Sequence, residues 1–145
     1  MSRRAYSEIN LHLVWHVKGN LSILTAEIEA QAHRYIRGRA LEESRVIFHA
    51  IGGTDDHVHL AVSVPPTLLI SEWVGKLKGG STFHMNRGLA AGKHLAWQEG
   101  YGVVSFSSKG LPWVVAYVLG QREHHARQTT LNQLECSEID DEEEP

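Results

Sequence analysis

His57 and His59 stand on either side of Val58. Residues two apart on a strand share a face, with Cβ atoms about 7 Å apart, a span that one divalent cation bridges. Asp56 precedes the pair and can accept a ring N–H, which fixes the nitrogen left for a metal. Further on, Tyr117 and Gln121 are spaced i, i+4, so they share one face of a helix, and His124 and Gln128 continue it. A phenol supplies an oxygen nucleophile and an amide oxygen a neutral metal ligand. An ordinary phenol loses its proton only near about pH 10, so a metal or a base must assist it. His124, one turn beyond Gln121, is the candidate base. Each group also has a plainer reading. The histidines suit a half-exposed sheet face, and a tyrosine can pack its ring and wet its hydroxyl.

Basic residues form a second set. Lys76, Lys78 and Arg87 lie on and after the second helical stretch, and Lys109 and Arg122 flank the third. Phosphates need such charges. Trp97, Tyr101 and Phe106 either stack unpaired bases or fill the core. His12 and His16 share a strand face and read as polar surface, while His49, His84, His94 and His125 receive no role. The chain has no Walker loop, dinucleotide fingerprint, Gly-x-Ser-x-Gly elbow or His-Glu-x-x-His motif, so no nucleotide cofactor is expected.

The 145 residues suit one domain, and a hydrophobic content of 42% is enough for a core. A single cysteine, Cys136, excludes an internal disulfide and a cysteine-only zinc site. No run is long enough for a membrane span and no signal peptide is visible, so a cytoplasmic protein without a membrane partner is expected. Net charge is −3, but every Lys and Arg lies at or before Arg127, and seven acids follow from Glu135. Setting the other 10 acids against 14 bases leaves residues 1–134 at net +4. The expected organisation is one domain over 1–130 and an acidic, disordered tail over 131–145.

Residues 7–17 alternate Ile9, Leu11, Leu13, Trp15 and Val17 against Asn10, His12 and His16, which predicts a strand with one buried face. Thr25 caps a helix with Ile28, Ala32, Tyr35, Ile36 and Ala40 as its apolar stripe. Arg45–Ile51 and His57–Val64 read as strands, separated by a Gly-Gly-Thr-Asp turn. Ile70, Trp73, Val74 and Leu77 predict a second helix, with a kink at Gly79-Gly80. A short strand follows over Tyr101–Ser107. Pro112 opens a third helix that runs to Gln128. The first six elements make an α+β, ferredoxin-like split βαβ (βαββαβ): an antiparallel sheet with both helices on one face. The third helix is left with the open face, or with a second subunit. Because His57 and His59 point to that open face, Tyr117 and the histidine pair come together.

Thr54-Asp55-Asp56-His57-Val58-His59-Leu60-Ala61-Val62 with Pro65 resembles the histidine strand of the single-tyrosine HUH transposases of the insertion sequence 200/605 (IS200-like) family. That family includes the domesticated relatives associated with repetitive palindromes. Lys76-Leu77-Lys78-Gly79-Gly80-Ser81, Trp97-Gln98-Glu99-Gly100-Tyr101-Gly102 and Tyr117-Val118-Leu119-Gly120-Gln121-Arg122-Glu123-His124-His125 extend the likeness over roughly residues 6–130. The resemblance implies a metal-dependent enzyme that cuts and rejoins hairpin-bearing single-stranded DNA. It makes Tyr117 the nucleophile of a 5′-phosphotyrosine intermediate, and His57, His59 and Gln121 the ligands of Mg²⁺ or Mn²⁺. It also implies a homodimer. A non-catalytic DNA-binding protein on the same fold and a phosphodiesterase that uses water are the competing expectations.

Overall fold

The computed structural model describes residues 6–138. In chain order the elements are β1 (Asn10–His16), α1 (Ala26–Ala40), β2 (Ile47–Gly53), β3 (His57–Ser63), α2 (Ile70–Asn86), β4 (Gly102–Phe106), α3 (Leu111–Leu119), α4 (Gln121–Arg127) and α5 (Asn132–Glu135). The strands form one antiparallel sheet in the order β2-β3-β1-β4. This is the split βαβ arrangement that the hydrophobic pattern predicts. Among the described residues no helix is long and apolar enough to cross a membrane.

The main core lies between the sheet and α1 and α2. Leu11, Leu13 and Trp15 of β1 and Val58, Leu60 and Val62 of β3 meet Ile28, Ala32 and Ile36 of α1 and Trp73, Val74 and Leu77 of α2. Each large apolar side chain buried there contributes about 1.5–3 kcal/mol. Thr25 precedes α1 in extended conformation, but its side chain makes no capping bond. α2 runs through Gly79-Gly80 without the expected kink, and Gly80 faces the Tyr35 hydroxyl of α1.

The opposite sheet face is covered as well. β1 therefore buries both sides, with Asn10, His12 and Val14 as inaccessible as the apolar row. The cover is α3 of the same chain, whose Val114 and Val118 pack on Ala50 and Ala61. Small residues allow the close approach. A Cβ added to Gly52 would lie 2.0 Å from the Val118 carbonyl oxygen.

The single helix predicted from Pro112 to Gln128 is two. Gly120 (φ −94°, ψ 19°) leaves helical geometry between α3 and α4. The break is gentle, since Gly120 N–H still donates to Ala116 O and His124 N–H to Gly120 O. α4 ends at Gln128, whose φ of 57° is left-handed. The predicted tail is not featureless at its start: residues 132–135 form the helical turn α5, beside β4 and β1. The acid run Asp140–Glu144 lies outside the described residues.

Candidate active site

β3 brings His57 and His59 to the α3 side of the sheet, both buried, at 2% and 0% exposure. Period-two geometry puts them there, because Val58, Leu60 and Val62 occupy the other face. His12, on the adjacent β1, joins them: its Nε2 lies 2.8 Å from His59 Nδ1. On the other flank Asp56 Oδ1 is 2.6 Å from His57 Nδ1. Thr54 Oγ1 donates to the same carboxylate oxygen at 3.0 Å and lies 2.9 Å from His57 Nδ1.

α3 supplies Tyr117. Seated by Val114 and Val118, it turns the ring toward the histidines, with centroids 6.0 Å from His59 and 6.5 Å from His12. The ring is stacked between Trp113 and His124. α4 supplies Gln121. Its Nε2 donates to the Tyr117 carbonyl at 3.1 Å, so its Oε1 faces His57 Nε2, 3.3 Å away. His125, one turn on, places Nε2 at 3.1 Å from the same Oε1.

α5 adds a carboxylate. Glu135 Oε1 lies 3.0 Å from His59 Nε2, 3.2 Å from His125 Nε2 and 3.4 Å from His57 Nε2. Its other oxygen, Oε2, accepts the Tyr117 hydroxyl. The Leu131 N–H donates to Tyr117 Oη at 3.0 Å.

Burial, then the bond to Glu135, pushes the Tyr117 phenol up to about 12, so it is protonated near neutral pH. Burial alone would raise Glu135, but the hydrogen bonds from His57, His59 and Tyr117 outweigh it and hold the carboxyl far below its ordinary range. Burial lowers His57, yet the bonds to Glu135 and Asp56 reverse the sign and leave it raised. His59 is held down at about 4 and His12 at about 3, chiefly by burial.

The donor set suits a divalent cation. Asp56 accepts only, so neutral His57 carries its hydrogen on Nδ1 and presents the bare lone pair of Nε2. That lone pair faces the Gln121 oxygen, whose orientation the bond to Tyr117 O fixes. With the ring neutral, these two electron-rich atoms 3.3 Å apart need a positive charge between them, either a proton on Nε2 or a cation.

The structure brings together Tyr117, His57, His59, Gln121 and Asp56. His124 is different. It stacks on the Tyr117 ring at 4.8 Å and bonds Thr129 Oγ1 through Nδ1, so the hydroxyl meets Glu135 instead. The basic residues do not converge. Lys78 Nζ is committed to the carbonyls of Gln98 and Gly100, and Arg122 pairs with Glu29 of α1 at 2.8 Å. Lys76, Arg87 and Lys109 are exposed. Trp97 is a core residue bonded to Ser81, and Tyr101 and Phe106 are partly buried against the cores.

Sequence reasoning missed His12, His125 and Glu135. His12 is legible in retrospect, since β1 lies beside β3 and its polar row faces the same side. His125 is i+4 from Gln121, the spacing that links Gln121 to Tyr117. Glu135 carries no such signal, because one acid in an acidic stretch reads as solvated.

The sequence profile of the family described as "Transposase IS200 like" matches residues 5–121. No curated protein matches the sequence. Among solved structures, a Deinococcus radiodurans R1 protein provisionally described as a transposase is similar with a TM-score of 0.67 and 21% identity, over 94% of this chain and 98% of that one. A REP-associated tyrosine transposase bound to a REP hairpin is similar with a TM-score of 0.58 and 17% identity, over 81% of this chain and 69% of that one. At these identities the two structures establish the shared fold, an antiparallel four-stranded sheet with the two split-βαβ helices packed on one face. With the profile spanning most of its length, the chain belongs to the IS200-like transposase family.

Proposed function

We propose that this protein is an HUH-type, metal-dependent transposase that cleaves and rejoins single-stranded DNA through a phosphotyrosine, at ends marked by hairpins. One observation carries the reading: within a single chain the Tyr117 hydroxyl and the ring nitrogens of His57 and His59 converge on one carboxylate, that of Glu135. The solved relative bound to a REP hairpin supports the choice of substrate.

The residues divide the work as follows. His57, His59 and Gln121 would hold the cation, Mg²⁺ or Mn²⁺, and Asp56 favours the His57 tautomer that offers Nε2. A cation held there would supply Lewis-acid chemistry, drawing charge from a non-bridging phosphate oxygen as it builds up in the transition state. Trp113 and His124 hold the Tyr117 ring between them, which limits the directions its oxygen can take. The Tyr117 oxygen attacks phosphorus and its proton leaves through the bond to Glu135 Oε2. The O3′–P bond breaks, O3′ takes up the proton passed to Glu135 and departs as a 3′-OH, and the 5′ phosphate remains esterified to Tyr117. A 3′-OH then attacks the same phosphorus and frees the phenol, so no nucleotide is consumed. Exposed Lys76, Arg87 and Lys109 are the candidates for phosphate contacts.

Labelled single-stranded hairpins incubated with Mn²⁺ and resolved on denaturing gels test the reading. A covalent protein–DNA adduct is expected from the wild type. Tyr117→Phe abolishes it while single-strand binding stays within roughly a few-fold, since one hydroxyl adds little to a phosphate-dominated affinity. Cleaved DNA with no adduct would identify a hydrolase. A gel shift with neither product nor adduct would identify a binding protein.

A further inference from the structure

The cation centre has more donors than His57, His59 and Gln121. We propose that His125 of α4 and Glu135 of α5 are also ligands of the divalent cation, so that the C-terminal turn is part of the metal site. The assignment rests on the reading of the first three residues as ligands.

Three observations carry it. The first is a count of lone pairs. Glu135 Oε1 has His59, His125 and His57 Nε2 at 3.0, 3.2 and 3.4 Å. One carboxylate oxygen has two lone pairs, so three ring nitrogens cannot all be its hydrogen-bond donors. The second is the distribution of hydrogens. Neutral His57, the form that can ligate a metal, carries its hydrogen on Nδ1, facing Asp56, so its Nε2 has none for the oxygens of Gln121 and Glu135 that it faces. His125 Nε2 has at most one hydrogen for the same two oxygens, 3.1 and 3.2 Å away. A shared cation among these atoms removes both deficits.

The third is spacing. Ligands bonded at about 2.1 Å on an octahedron are about 3 Å from their neighbours. The five neighbouring separations here are 3.0, 3.1, 3.2, 3.3 and 3.4 Å. Three imidazoles, an amide and a carboxylate would leave a single octahedral position for a phosphate oxygen.

The turn is seated rather than draped. A Cβ on Gly102 would lie 1.9 Å from Cys136 O, so glycine at the start of β4 makes room for the chain just after Glu135. Gln98 Nε2 donates to Glu138 Oε1 at 2.9 Å, and Leu131 N–H to Tyr117 Oη at 3.0 Å. These contacts hold Glu135 on both sides.

Mn²⁺ titrations of the full chain without DNA, with free ion read by electron paramagnetic resonance, test the assignment. Glu135→Gln is isosteric and His125 is exposed, so both variants should keep the fold, which circular dichroism checks. Each is expected to weaken Mn²⁺ binding roughly tenfold or more, as loss of a metal-site partner does. Glu123→Gln removes an exposed acidic charge on α4 that pairs with Arg127 and not with the cluster, and is expected to change affinity less than about twofold. If His57→Ala abolishes binding while Glu135→Gln and His125→Ala bind like the wild type, the extra ligands are refuted and the three-residue centre stands. An equal loss in Glu123→Gln and Glu135→Gln would also refute them, since charge alone would then explain the effect. A wild type that binds no Mn²⁺ overturns the centre and the extra ligands together.

Discussion

Asp56 shows how much one residue can decide. By taking the Nδ1 hydrogen of His57 it fixes the tautomer, and with it the direction of the lone pair. Asp56→Ala should therefore weaken Mn²⁺ affinity about 10- to 100-fold, the range for a removed carboxylate behind a ligating histidine. Isothermal titration measures it, and an unchanged affinity would show that the ring needs no orientation. This role was legible in the sequence, because the acid directly precedes a histidine at period-two spacing. Tyr117 and Gln121 were legible for a similar reason, since i, i+4 spacing survives folding. Glu135 was not. Its place depends on where a four-residue turn docks, and that is set by the gap at Gly102, far away in sequence.

At the scale of elements, the period-two strands and both sheet-packed helices follow from alternation and the 3.6 repeat. The burial of the second face of β1 does not, because it depends on which helix returns to cover it. Gly52 marks that contact. Gly52→Ala should force α3 away from β2 and cost about 1–3 kcal/mol, the range for overpacking, seen as a lower urea midpoint. An unchanged midpoint would mean that α3 adjusts freely. The break at Gly120 also escaped prediction, since a glycine inside an apolar repeat can either continue or interrupt a helix. α1 offers a pH test. Burial, then the nearby Arg122 charge, holds His33 down at about 4 from an ordinary 6.5. The unfolded chain therefore takes up a proton before the folded one. This contribution is intact above about pH 6.5 and is lost as pH falls toward 4, at no more than about 1.4 kcal/mol per pH unit. In His33→Gln, urea midpoints measured from pH 7 to pH 4 should fall less steeply than in the wild type.

For the whole molecule, the order of elements was enough to place Tyr117 and the imidazoles on one side of the sheet. It left open whether the third helix covers its own sheet or a neighbour's, because sequence spacing is the same in both cases. In the structure α3 lies on its own sheet, and Tyr117 and His59 belong to one chain. In a homodimer each copy would then carry its own complete site. Mixing Tyr117→Phe with His57→Ala protein should leave adduct formation absent on denaturing gels. Restored adduct in the mixture would mean that helices are exchanged between copies.

That self-coverage has a consequence for how often DNA would be cut. On the proposed reading, a solitary molecule that reaches a suitable strand would carry its own cutting tools, with no wait for a companion. Breaks per molecule would stay constant on dilution, and scarcity of the protein would make the event rarer without making it cooperative.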